Sequence, residues 1–185
     1  MIPLRIILLV LTLQVSISAA AVDSTDVIIS DTELMQVVFG NAADVKAEQI
    51  TLTPVQRDWS GKRFRFTPPE QTVQVWLSRD ASGQVLAGLI KADVSYQGQI
   101  ITVALGLSAE VRVIRAAITS VPESLRQQLE STIGIGYLKR YTMMSARQLG
   151  YLANVLKKEG PPAALVAEQL FKSGAILAAI IKSAE

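Results

Sequence analysis

From Arg63 to Ile118 the hydrophobic period of the chain is two, and the alternating runs are separated only by short turn sequences. Arg63-Phe64-Arg65-Phe66 alternates strictly, and Val73, Val75 and Leu77 alternate against Thr72, Gln74 and Trp76. Asp80-Ala81-Ser82-Gly83 is turn chemistry, Val85 to Tyr96 is extended, Gln97-Gly98-Gln99 turns again, and Ile100 to Leu107 and Val111 to Ile118 complete the series around Ser108-Ala109-Glu110. Parallel neighbours need a crossover of a dozen or more residues, and these connections are far shorter. The pattern therefore predicts one antiparallel sheet, a meander of about four to five strands.

Helical spacing flanks this block on both sides. Before it, Asp31 to Gly40 reads as a capped helix with Leu34, Met35, Val38 and Phe39 on one face, and Thr53-Pro54-Val55-Gln56-Arg57 starts a second one. After it, a helix is expected over Pro122 to Leu129, a flexible link at Gly134 and Gly136, and a long helix over Tyr137 to Lys158 with Leu138, Tyr141, Leu149, Leu152 and Leu156 inward. Gly160-Pro161-Pro162 stops that helix. A further helix covers Ala163 to Phe171, and a last apolar one follows Ser173-Gly174. No repeat or low-complexity linker divides the chain, so the expectation is one α+β domain over residues 22–185.

Composition narrows the chemistry. The 185 residues include no Cys and no His, which excludes thiolate nucleophiles, histidine bases, structural zinc held by these ligands, and histidine- or thiolate-bound iron cofactors. With 18 basic against 16 acidic residues and no basic run, the chain lacks the stripe that nucleic acid requires. No metal and no nucleic acid are expected as partners. Scattered carboxylates read as a solvated surface, so no catalytic residue is assigned.

The N-terminus has the three zones of a secretory signal: Met1 to Arg5 with one positive charge, an apolar run from Ile6 to Ile17, and small residues Ser18-Ala19-Ala20-Ala21. The apolar run is shorter than the roughly 20 residues a spanning helix needs. The mature chain is expected to start after residue 20 or 21 and to be periplasmic or otherwise extracytoplasmic.

Four fragments, in register, resemble the FMN-binding domain family, which is similar in this region to the flavin subunits of Rnf and sodium-pumping quinone reductase complexes. Val38-Phe39-Gly40-Asn41-Ala42 resembles the family's Leu-Phe-Pro-Gly-Ala, Leu52-Thr53-Pro54-Val55-Gln56-Arg57 its Leu-Thr-Pro-Glu-Gln-Arg, and Tyr96 to Ile114 its central hairpin. Ser173-Gly174-Ala175-Ile176 resembles the Ser-Gly-Ala-Thr signature whose threonine carries the flavin phosphoester, with isoleucine at the acceptor position. Leu170 stands where an acidic residue is common. The Gly-rich Ser131 to Gly136 is similar to Glu-Thr-Pro-Gly-Leu-Gly, and no ligand role is assigned to it.

The resemblance implies an FMN-binding-domain-like fold and a setting in periplasmic electron transfer, with a redox or membrane protein complex as partner. Cofactor-binding residues would be Ser173, Gly174, Ala175 and Ile176. Because Ile176 has no nucleophilic atom, the implied flavin mononucleotide is non-covalent at most. Gly174 would admit a close ligand, Ser173 would offer a hydroxyl, and a helix starting there would offer free amides to a phosphate. The competing reading is that Ser173 caps the helix and Gly174 permits packing, the protein then being a flavin-free accessory or scaffold subunit. Trp59, Trp76, Tyr96, Tyr137, Tyr141 and Tyr151 are the aromatic candidates for stacking on a ring, and spacing selects none of them.

Overall fold

The computed structural model describes residues 25–42 and 44–182. The signal-like segment over residues 1–21 lies outside them. Among these residues seven strands form one antiparallel sheet: β1 (Thr25–Val27), β2 (Val45–Thr51), β3 (Thr72–Arg79), β4 (Val85–Tyr96), β5 (Gln99–Ser108), β6 (Val113–Pro122) and β7 (Gly136–Tyr137). The spatial order is β1-β6-β5-β4-β3-β2, and β7 shares with β1 the outer edge of β6. Among the described residues five α-helices accompany it: α1 (Asp31–Phe39), α2 (Pro54–Phe64), α3 (Glu123–Thr132), α4 (Ala146–Leu156) and α5 (Ala163–Lys182).

The α+β class and the β3 to β6 meander agree with the period-two pattern. At the β4–β5 hairpin, Gln97 (φ 51°) and Gly98 (φ 77°) form a two-residue loop with both residues at positive φ, the geometry that matches strand twist. The strand count exceeds the expected four to five. The added strands are edge elements: β2 reads Val-Lys-Ala-Glu-Gln-Ile-Thr and is mostly exposed, and β1 and β7 are three and two residues long. An edge strand faces solvent with most of its side chains, so its alternation is muted.

Arg63-Phe64-Arg65-Phe66, expected as a strand, instead ends α2. Thr53 and Gln56 make a reciprocal capping box, Pro54 occupies the first turn, and the helix runs on until Arg65 adopts a left-handed conformation (φ 58°). Four alternating residues were too few to outweigh so strong a start signal. The cap of α1 is Ser30, not Asp31; its Oγ accepts from the Glu33 amide.

The long helix expected over Tyr137 to Lys158 is also divided. Tyr137 pairs with Ala117 in the sheet, Lys139–Tyr141 makes a single 3-10 turn, and α4 begins only after Ser145 and Gln148 form a second capping box. Conversely, α5 is one continuous 20-residue helix, where a break at Ser173-Gly174 was expected. Glycine costs a helix interior about 1 kcal/mol relative to alanine, and here it is retained for packing.

The two sheet faces are covered unequally. Val75, Leu77, Ile90, Ile101, Val103, Leu105 and Leu107 point to the face under α5, α4 and α2 and form the main core. Ala87, Leu89, Ala104 and Ala117 point the other way, toward Leu34, Val38 and Phe39 of α1. Helix α5 is long and apolar enough to cross a membrane by composition, yet 67% of its most apolar window is buried inside the fold. It packs inward on β4 and β5 and closes the core.

Candidate functional site

The four residues with a sequence-based claim to a cofactor lie in the middle of α5. Ser173 is 2% exposed, Ala175 is fully buried and Ile176 is 4% exposed. A Cβ built on Gly174 would stand 2.7 Å from Leu149 Cδ1 of α4 and 3.2 Å from Leu105 Cδ2 of β5. The glycine does permit a close approach, and the approaching bodies are α4 and the sheet. Ser173 Oγ accepts from Gln169 Nε2 at 3.4 Å, within the same helix, so it caps nothing. Since α5 is continuous, its amides at this point belong to the helix ladder, and the free amides expected after Ser173-Gly174 do not exist. Leu170 is fully buried. This segment does not fit a flavin phosphate.

One residue before the motif the environment changes. Phe171 and Lys172 line a cavity of about 690 Å³ between α2, α4 and α5. Its first wall is the end of α2 and the loop that follows. Arg65 caps the helix by donating its amide to Gly61 O, Ser60 Oγ donates to Phe66 O, and Arg57 holds the loop through Pro68 O and Glu70. These bonds fix Lys62, Arg63, Phe64, Arg65 and Phe66 along one side. The second wall is α4, which contributes Arg147, Gly150 and Asn154, with Lys157 just past its end. Phe171 forms the floor: its ring packs over Gly150, where a Cβ would lie 3.0 Å from Cε2, and tilts at 56° against Phe66 with centroids 6.0 Å apart.

A second cavity of about 400 Å³ adjoins the first. Trp59, Val111, Glu110, Ser145 and Lys182 line it, and Arg63, Phe64 and Arg147 line both. Trp59 and Phe64 meet edge to face at 5.5 Å and 76°.

The charge in the first cavity is strongly one-sided. Six cationic side chains line it (Lys62, Arg63, Arg65, Arg147, Lys157, Lys172) against the single carboxylate of Glu168. Lys62 pairs with Asp58 at 2.6 Å and Lys172 with Glu168 at 2.8 Å. Among the described residues, Arg63, Arg65, Arg147 and Lys157 have no ion pair. Four exposed cations held near one another without counter-charges repel, and an anion entering the cavity relieves that repulsion. In the second cavity the Ser108 hydroxyl, 2.8 Å away, holds the Glu110 carboxyl below its ordinary value of 4.5, so it carries its charge at neutral pH.

Of the aromatic candidates, only Trp59 lines either cavity. Tyr141 is fully buried in the main core, its hydroxyl has no hydrogen-bond partner among the described residues, and burial pushes its pKa up. Trp76 packs on the α1 face, and Tyr151 is 74% exposed. The phenylalanines and cations of the groove were missed by sequence reasoning. Their signal was present in Lys62-Arg63-Phe64-Arg65-Phe66, where basic and aromatic residues interleave. Read as a strand it separates Arg63 and Arg65 on one face from Phe64 and Phe66 on the other; as a helix end followed by a left-handed residue it turns rings and cations into the same groove. Among the described residues no group of carboxylates is gathered at metal-binding spacing. Compared with known proteins, the chain matches no family model, no curated protein and no solved structure.

Proposed function

We propose that this chain is an exported FMN-binding-domain-like protein that holds flavin mononucleotide without a covalent bond in the groove between α2, α4 and α5, and serves periplasmic electron transfer beside a redox or membrane complex. The observation that carries the reading is the lining of that groove: four unpaired cations and three phenylalanines around a single carboxylate. A phosphate needs guanidinium or ammonium partners, and an isoalloxazine ring needs apolar or aromatic walls; both are within one cavity of a size usual for small ligands. When bound, the flavin would supply the redox chemistry. The chain would supply charge, ring contacts and exclusion of water.

The ligand site then consists of Arg63, Arg65, Phe66, Arg147, Lys157 and Phe171, beside the Ser173 to Ile176 segment and not on it. Arg63 and Arg147 are the residues expected to carry the phosphate contact. Titration calorimetry of the purified mature protein should show flavin mononucleotide binding more tightly than riboflavin, which has the ring without the phosphate. The R63A/R147A double variant should bind flavin mononucleotide at least tenfold more weakly and riboflavin unchanged. Absence of heat or of a spectral shift with flavin mononucleotide at millimolar concentration, together with no flavin released on denaturing the protein from its native source, would sink the reading.

A second reading is favoured by the burial of Ser173 to Ile176. If that segment serves packing alone, the chain is a flavin-free accessory or scaffold subunit, and the cationic groove docks an acidic partner segment. Failure of the flavin titration with retention of salt-sensitive capture of the redox complex would favour it.

A further inference from the structure

The two cavities adjoin and share part of their lining, more than a mononucleotide needs. Arg63, Phe64 and Arg147 line both, so the two arginines mark the junction where the linings overlap, and aromatic residues line the chamber on either side. The larger chamber has Phe66 and Phe171 in contact with each other; the smaller has Trp59 against Phe64. Each chamber also holds a non-glycine residue at positive φ, Arg65 (58°) on one side and Val111 (60°) on the other. A β-branched residue is rarely held in that conformation, and such residues gather at binding sites. Neither junction arginine has an ion pair among the described residues.

Ring, anion, ring is the layout of a dinucleotide. We infer that the two chambers form one site for a dinucleotide, its pyrophosphate on Arg63 and Arg147, one ring system against Phe66 and Phe171, and the other against Trp59. This deepens the reading above and rests on it. Planar guanidinium groups suit a pyrophosphate, which offers two adjacent anionic groups to two forks. The asymmetry of the chambers, about 690 against 400 Å³, assigns the larger isoalloxazine ring to the larger chamber and the adenine ring to the smaller.

The inference is tested by titrating the mature protein with flavin mononucleotide and with flavin adenine dinucleotide. The dinucleotide should bind about tenfold more tightly, the value of one added base stack. Trp59→Ala should remove that advantage and leave flavin mononucleotide affinity within twofold, while Phe171→Ala weakens both ligands. The affinity ratio in the unmodified protein needs no variant, so the test survives a Trp59→Ala chain that fails to fold. Equal affinity for the two flavins overturns the dinucleotide site and leaves the mononucleotide reading standing. Binding of neither overturns both.

Discussion

Two adjacent stretches of α5 serve opposite ends. Ser173 to Ile176 carries the residues that stand out in the sequence, and it is buried against α4 and the sheet. Glu168, Phe171 and Lys172 carry nothing that stands out, and they line the groove. The difference teaches that a short motif reports spacing along the chain, whereas availability to a ligand depends on which face, and which turn, of the helix is covered. With 3.6 residues per turn, Ser173 lies about 200° around the helix from Phe171 and is buried, while Ala175 and Ile176 continue the faces of Phe171 and Lys172 one turn further on, where the fold covers them.

Three substitutions along α5 sharpen or break that contrast. The largest effect is expected from Leu170→Asp, which places an acidic residue where the resembled family often has one. Leu170 is fully buried, and an unpaired carboxylate there should cost about 4 kcal/mol or more in chemical denaturation, enough to unfold much of the population. A stable variant would mean that this part of α5 opens to solvent, and the contrast would fail. Glu168→Gln comes next: it removes the only carboxylate of the larger cavity and frees Lys172. Flavin mononucleotide affinity should rise several-fold, and stability should change by about 0.5 kcal/mol or less because the pair is half exposed. The smallest effect is expected from Ser173→Ala. Its one hydrogen bond is long, at 3.4 Å, so denaturation should shift by about 0.5 kcal/mol at most and flavin affinity should not move. A tenfold loss of flavin binding in that variant would return the site to the motif.

Much of the fold was legible because the signals were local and strong. The β4–β5 hairpin rests on a turn of Gln97 and Gly98 between long apolar runs, and α2 starts at a capping box with proline behind it. What escaped notice depended on distant partners. Strand β2 has few apolar residues because it lies at the sheet edge, and Tyr137 joins a strand only because Ala117 is there to receive it. Helix α5 continues through Gly174 because Leu149 and Leu105 occupy the space a side chain would take. The groove needed all three helices in place. Arg63 and Arg147 are 84 positions apart in the chain, and neither has a local feature that points to the other.

The polar residues of α5 have a role before any ligand arrives. Until the sheet has formed, α5 is 20 residues of span-like composition, about 30 Å of helix, and its interior holds just two charges, Glu168 and Lys172. Each charge near the middle of such a segment adds about 2.5 to 3.5 kcal/mol to the cost of entering lipid. The side chains that line the groove in the finished molecule thus also bias the nascent helix away from the bilayer. Losing both charges would remove that bias and leave a 20-residue segment with no charge before Lys182.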